Sequence, residues 1–170
     1  MALRSRNTTH DFDFFNNNFG QQEYELITAA AMAAQKKDKK LETAWLNNRT
    51  IVFMPIDLRN SLTSEAIAQN ELVFEASGLK VVAAPWNYAF CCKVDRLAGS
   101  GLLNARPYDL GDAAAYPKRY LASVGKNTSI PKAEVIGWMA RFHLQRSAET
   151  TEFEGILAAV NRELGYKAIV

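Results

Sequence analysis

The stretch RSRNTTHDFDFFNN, residues 4–17, decides the fold because it has the pattern of a hydrophobic strand but carries two aspartates. Asp11 and Asp13 alternate with aromatic residues over 11–15, and this period of two predicts a strand. Aspartate is depleted from strands, so a positive charge is needed to offset the repulsion between two carboxylates on one face. Because residues i and i+2 of a strand face the same side, about 6.7 Å apart, the two carboxylates can converge on one cation. A pair of exposed strand-edge aspartates has the same spacing and is the alternative.

A magnesium ion fits this pair, because Mg²⁺ is usually bound by one or two carboxylates together with phosphate oxygens and waters. We therefore expect Asp11 and Asp13 to hold a metal that in turn holds the phosphates of a nucleotide. The flanking Arg4, Arg6, Thr8 and Thr9 are candidates either to balance the charge of the acid pair or to bind phosphate. On this interpretation the two aspartates are both metal ligands and catalytic residues.

Composition places the chain among globular proteins and excludes some classes of partner. Its 170 residues are 48% hydrophobic and 22% charged, which suits one domain or one domain with a helical appendage. A net charge of +2 argues against nucleic-acid or membrane electrostatics. No apolar run approaches the roughly 20 residues of a membrane helix, and no signal peptide is predicted. The two cysteines, Cys91 and Cys92, are adjacent and unsuited to pairing, so we expect a reducing, cytoplasmic location.

The first half of the chain shows a small number of strands and helices. Good helix formers and apolar residues at helical spacing predict a helix over 21–37. The apolar run 50–55 predicts a strand that ends at Pro55, and residues 61–70 predict a helix. Two further strands are expected at 71–76 and 79–85, with a short link between them that permits a hairpin.

The second half is predicted to be helical. Helices are expected over 86–99, 108–125, 131–146 and 149–165, with Pro117 kinking or splitting the second of them. The predicted fold class is therefore α/β (α+β), with a small mixed sheet followed by a helical region. The domains predicted are an α/β core over 1–85 and a helical region over 86–170, which could also form one compact unit.

Two charged pairs in the helical half have matching spacing. Lys93 and Arg96 lie three residues apart on one predicted helix, and Asp109 and Asp112 lie three residues apart on another. The two faces can meet in a network of basic and acidic side chains. Two interpretations stay open for this network, since it either docks one helix on the other or takes part in an active site.

The segment LRSRNTTHDFDFF, residues 3–15, resembles the R-x-T-x-D-[IVF]-D signature of the nucleotidyltransferase superfamily, in particular its abortive-infection toxin-type members and uncharacterised fungal relatives. The resemblance continues in the order of that group through three more segments, which lie between residues 44 and 121: AWLNN (44–48), GLKVVAAPWNYAFCCKVDRLAG (78–99) and ARPYDLGDAAAYPKRYL (105–121).

This resemblance implies an α/β nucleotidyltransferase core that transfers a nucleotidyl group from a nucleoside triphosphate to an unknown hydroxyl acceptor with Mg²⁺. It assigns metal binding to Asp11 and Asp13. It also implies that Lys93 is catalytic and that Asp109 and Asp112 lie near the site.

Two departures from the family pattern point toward weak or absent catalysis. The Gly-Gly or Gly-Ser turn that the superfamily places before its aspartates has MALRSR in its position, so we expect a chain that is N-terminally incomplete or lacks this turn. The third carboxylate of active members has only Asp57 as a candidate, and Asp57 fits a helix start better. The alternative function is an inactive nucleotidyltransferase-fold module for binding or regulation, in a homo-oligomer or a toxin–antitoxin-like pair with a protein partner.

Overall fold

A computed structural model of the protein describes residues 12–16, 19–125 and 129–170. Its contacts divide the described residues into two compact units, which meet in sequence between Glu65 and Ala66. We call the described residues up to 65 the first unit and the described residues from 66 onward the second unit. The predicted division into domains 1–85 and 86–170 stays a prediction.

The first unit contains a strand, a helix and a second strand. β1 (Phe12–Asp13) pairs in parallel with β2 (Leu46–Asn47), and Asp13 lies opposite Asn47. The Phe14 amide donates to the Asn47 carbonyl at 2.9 Å. A parallel pair needs a long crossover between its strands, and α1 (Gln21–Lys37) lies in that crossover. The strand predicted over 11–15 is confirmed at Phe12–Asp13, while Asp11 lies outside the described residues.

The bounds predicted for α1 are confirmed at both ends. Its inward face is half-buried and consists of residues at helical spacing, namely Tyr24, Ile27, Ala31 and Ala34. The Tyr24 ring lies 6.3 Å from Phe14 and 5.7 Å from Phe19, measured between centroids. The indole of Trp45 donates to the Ala31 carbonyl at 3.2 Å. The periodicity of the sequence therefore identified the face that packs.

The strand predicted over 50–55 is wrong. Residues Arg49–Phe53 form a 3₁₀ turn, closed by the Ile51 amide on the Asn48 carbonyl at 3.1 Å. The Asn47 side chain accepts from the Arg49 amide at 3.1 Å, a local bond of the kind that starts turns. α2 then runs over Ile56–Gln69, five residues longer at its start than predicted, and Asp57 lies in its first turn. The apolar run 50–55 is short, and the composition of so short a run does not distinguish a strand from a turn.

The second unit starts with the end of α2 and the predicted hairpin, which is confirmed. β3 (Leu72–Ala76) and β4 (Leu79–Val82) are antiparallel, and Gly78 between them has a φ of 80°, which favours glycine. The Gln69 side chain donates to the Ala84 carbonyl at 3.2 Å and accepts from the Trp86 amide at 3.0 Å. These bonds hold the end of α2 beside the start of the next helix.

The core of the second unit lies between helices. They are α3 (Trp86–Ser100), α4 (Asp109–Ser123), α5 (Lys132–Arg141), the short α6 (Gln145–Ala148) and α7 (Glu152–Leu164). The fully buried side chains include Phe90, Val94, Leu97, Val135, Met139, Ile156 and Val160. Trp86 stacks against Tyr116 with 6.1 Å between ring centroids, so the start of α3 packs against α4.

Two predicted helix outlines need correction. α4 is continuous through Pro117, so the split, one of the two outcomes predicted for this helix, is wrong, although a proline removes the amide that would bond the Ala113 carbonyl. One face of α4, with Ala113, Pro117 and Leu121, is buried, and this packing offsets the lost bond. The helix predicted over 131–146 ends at Arg141, because His143 adopts a φ of 61° and the chain turns before α6. The end of α7 at a left-handed Gly165 is confirmed.

The protein is thus mixed α/β and mostly helical. Within the described ranges the strands form two separate two-stranded sheets rather than one mixed sheet, because segment 50–55 adds no strand. A parallel bridge also joins Ile130 to Ile169. Of the helices in the described part of the chain, none is both long and apolar enough to cross a membrane.

Candidate functional site

Asp13 is the member of the predicted metal pair that the structure describes. Its side chain is exposed on β1, and its strand neighbour on the same face is Asn47 of β2. Sequence reasoning missed Asn47, which β1–β2 pairing alone brings opposite Asp13. Asp11 and the predicted nucleotide-binding residues Arg6, Thr8 and Thr9 lie outside the described residues. Asp13 belongs to the first unit, whereas Lys93, Asp109 and Asp112 belong to the second.

The predicted meeting of the two charged helix faces is confirmed in the second unit. The Lys93 ammonium lies 2.8 Å from Asp109 Oδ1 and 3.0 Å from Asp112 Oδ2. Arg96, one turn further along α3, lies 3.8 Å from Asp109 Oδ1. The side chains of Lys93, Asp109 and Asp112 are 13%, 2% and 5% exposed, and Arg96 is half exposed. We call these four residues the Lys93 cluster.

Local structure explains why the carboxylates lie where they do. α4 begins at Asp109, so both aspartates are in its first turn, where the positive end of the helix dipole stabilises negative charge. The Arg106 amide donates to Asp109 Oδ2 at 3.3 Å. The Lys93 ammonium also lies 5.6 Å from the centroid of the Tyr108 ring, within the range of a cation–π contact. Arg106 and Tyr108 were not identified from the sequence, although both belong to the ARPYD segment.

The electrostatics of the cluster favour its ionised form. Burial raises the pKa of Asp109, but the hydrogen bond and charge of Lys93, the charge of Arg96 and the Arg106 amide together lower it below its ordinary value of 3.8. Two positive side chains face two carboxylates, so the charges compensate one another inside the cluster. Chemically, this arrangement holds the first turn of α4 against α3. The two carboxylates accept from two of the three N–H donors of the Lys93 ammonium.

A second buried contact, also missed from the sequence, joins α3 to α6. The hydroxyl of Ser147 donates to Asp95 Oδ1, and these residues are 52 positions apart, so no local pattern signals the pair. Burial, with a smaller effect of the Asp95 carboxylate, raises the pKa of Cys92 to about 11 against the opposing hydrogen bond with Tyr88. The thiol form is therefore dominant at neutral pH and is a poor nucleophile.

The described carboxylates bear on the predicted metal site. Across residues 12–16, 19–125 and 129–170, no group of three or more His, Cys, Asp or Glu side chains is placed to hold a metal ion. Asp57, the candidate third carboxylate, lies in the first turn of α2 as a helix-start residue would. The exposed carboxylate of Asp13 is a ligand of the kind that Mg²⁺ prefers, whereas the side-chain oxygen of Asn47 accepts from the Arg49 amide.

Comparison of the chain with known proteins gives no matching family model, no similar curated protein and no similar solved structure.

Proposed function

We propose that this protein is nucleotidyltransferase-like and binds a nucleoside triphosphate with Mg²⁺ through Asp11 and Asp13. The observation that carries the proposal is the exposed carboxylate of Asp13 on a strand, in register with Asn47. An aspartate at this position is poorly explained by packing, because aspartate is unfavourable in strands. The resemblance of segments 3–15, 44–48, 78–99 and 105–121 to motifs of the superfamily supports the same assignment.

The residues of this chain have separate roles in the proposal. Asp11 and Asp13 hold the metal, which when bound neutralises phosphate charge and orients the triphosphate for in-line displacement. Arg6, Thr8 and Thr9 bind phosphate oxygens. The acceptor hydroxyl attacks the α-phosphorus, the bond from that phosphorus to the bridging oxygen breaks, and pyrophosphate leaves. One of the two carboxylates takes the hydroxyl proton.

Lys93 has a positioning role in this proposal rather than a catalytic one. Its ammonium is already bonded to Asp109 and Asp112, and the cluster is mostly buried. This same observation favours the second candidate function, an inactive nucleotidyltransferase-like module for binding or regulation. In such a module the ion pairs of Lys93 with Asp109 and Asp112 only hold α3 against α4, and none of these side chains has to take part in a reaction.

The first test is calorimetric titration of the four common nucleoside triphosphates, with Mg²⁺ and with a chelator. We expect binding that requires Mg²⁺ and is lost in the Asp11→Asn, Asp13→Asn variant. The matched control is Glu75→Gln, Glu152→Gln, which removes the same charge from exposed positions of the second unit and should bind normally. Absence of binding by the unmodified protein, or equal binding by the aspartate variant, would overturn the proposal.

The two candidate functions separate in a transfer assay. Protein that binds triphosphate is incubated with α-labelled triphosphate and cell extract, and the label is followed on protein, RNA and small molecules. Label that appears on an acceptor and disappears in the aspartate variant identifies the enzyme. Binding without any transfer identifies the inactive module.

A further inference from the structure

The outward face of α1 is apolar and exposed. Leu26, Ala29, Ala30 and Ala33 recur every three or four residues on the side away from the half-buried face, and Leu26 is 71% exposed. The helix is therefore apolar on two sides, although only one side packs within the first unit. A surface helix normally places polar residues on its outer face. An exposed apolar face of this kind marks an interaction surface.

Charged residues border this face at both ends of α1. Glu23 and Glu25 lie near the start of the helix, Lys36 and Lys37 lie in its last turn, and all four are exposed. Glu23 and Lys37 are separated by about four helical turns, so they lie on one flank of the apolar face. Glu25 and Lys36 are separated by about three turns and lie on the other flank. Each flank thus carries one acid at its start and one base at its end.

We propose that α1 is the surface through which two copies of this chain associate, as an antiparallel helix pair with its two-fold axis beside Ala30. Rotation about this axis places the start of one helix beside the end of the other. Each flank of one helix then lies next to the same flank of the other helix. Glu23 then meets Lys37 of the second copy, and Glu25 meets Lys36 of the second copy. Leu26 packs beside the small side chain of Ala33 from the second copy. Charges and sizes are both complementary about the same central residue.

The alternatives fit the same face less well. A parallel pair places Glu23 against Glu23 and Lys37 against Lys37, which is repulsive, and it aligns the two helix dipoles. In the antiparallel pair the dipoles oppose each other. Alanines at the centre allow the helix axes to approach toward the short end of the usual 8–10 Å range. An uncharacterised protein partner would have no reason to match a pattern that is symmetric about Ala30.

The size of the face sets the strength of the interaction. α1 is about 25 Å long, so a contact through this helix alone belongs with the small, transient interfaces. The association should therefore depend on protein concentration and weaken with salt, which screens the flanking ion pairs. The proposal does not use Asp11, Asp13 or any nucleotide, and it stands or falls separately from the proposed function.

The test is sedimentation velocity on a concentration series of the whole chain and two charge-reversed variants. Lys36→Glu, Lys37→Glu and Glu23→Lys, Glu25→Lys should each raise the dimer dissociation constant about tenfold or more, because every flanking pair becomes repulsive. An equimolar mixture of the two variants should restore the dimer, since acidic flanks then face basic flanks. A protein that stays monomeric at all concentrations, or a mixture that does not associate, would overturn the proposal.

A cross-link checks the register independently of the charges. Glu23 also accepts from the Gly20 amide at 2.9 Å, so the Glu23 variant could lose helix for local reasons, which circular dichroism would reveal. Ala30→Cys places a thiol beside the axis and should form an intermolecular disulfide in mild oxidant. Thr28→Cys is the matched control, because Thr28 is exposed but off the apolar face and its thiols would lie far apart. Equal cross-linking of the two variants would contradict the antiparallel register.

Discussion

Asp13 in the first unit and Asp109 in the second are both aspartates at the edge of a secondary-structure element, but their surroundings are opposite. Asp13 is exposed on a two-residue strand. Asp109 is 2% exposed and bonded to Lys93 and the Arg106 amide. A carboxylate that is open to solvent is available to a ligand, whereas one that is buried and paired is committed to the fold. The comparison separates the acids suited to binding from those suited to structure.

The same difference extends to the packing of the two units. In the described first unit, the hydrophobic side chains that are buried are Met54, Leu58 and Leu62, all in or directly before α2. The second unit has buried side chains on α3, α4, α5 and α7. We therefore expect substitutions in the second unit to change the free energy of unfolding more than comparable substitutions in β1 and α1.

The largest effect is expected from Lys93→Met, which leaves Asp109 and Asp112 buried without their shared cation. Removing one partner of a buried ion pair typically costs about 3–5 kcal/mol of stability. Asp13→Asn, on the exposed strand, should change stability by less than about 0.5 kcal/mol. Urea denaturation followed by tryptophan fluorescence measures both.

The control for Lys93→Met is the same substitution combined with Asp109→Asn and Asp112→Asn, which removes the uncompensated charges as well. Most of the lost stability should return, because replacing a whole buried ion cluster is often close to neutral. If Lys93→Met alone leaves the unfolding midpoint unchanged, the cluster is not a structural element. A catalytic role for Lys93 would then gain support.

Features that depend on local sequence could be predicted. The periodicity of Tyr24, Ile27, Ala31 and Ala34 gave both the bounds and the buried face of α1, and the Ser77-Gly78 link gave the hairpin. The spacing of Lys93 with Arg96, and of Asp109 with Asp112, was enough to expect a contact between two helices.

Features that depend on tertiary contacts could not be predicted. Pro117 is tolerated within α4 because one face of that helix is buried, which the helix sequence alone does not show. The turn at Arg49–Phe53 depends on a side-chain bond from Asn47, which a run of apolar residues hides. The pairing of Ser147 with Asp95 joins distant segments. For the same reason Asn47 was missed, since only the register of β1 with β2 places it opposite Asp13.

A smaller effect is expected when the same substitution, methionine to alanine, is made at one buried and one exposed position. Met139 on α5 is fully buried, whereas Met32 on α1 is 56% exposed. Met139→Ala should cost about 2–5 kcal/mol through lost burial and a cavity, and Met32→Ala less than about 0.5 kcal/mol. Comparable losses at both positions would mean that α1 is covered to a greater extent than its exposure indicates.

The smallest expected effect is the acid dependence that Asp109 contributes. Because its pKa is lowered in the folded state, the unfolded chain takes up a proton first as the pH falls through the ordinary value of 3.8. The stability contributed by the ionised carboxylate is therefore present above that value and is lost as the pH falls through the folded-state pKa. Asp109→Asn removes this contribution at every pH. The difference in free energy of unfolding between the unmodified protein and this variant should therefore become smaller as the pH falls.

Met139→Ala is the control for that pH series. Because methionine does not titrate, the free energy of unfolding lost in this variant should stay constant as the pH falls. The free energy of unfolding of both variants is measured by urea denaturation from neutral pH down to the lowest pH at which the protein is still folded. A constant Asp109→Asn deficit would mean that the carboxylate is not preferentially ionised in the folded protein. Since Asp112 still pairs with Lys93 after Asp109 is protonated, the change with pH should be smaller than the loss caused by Lys93→Met. The difference between these two stability changes would show how much of the stabilising interaction with Lys93 comes from Asp109 and how much from Asp112.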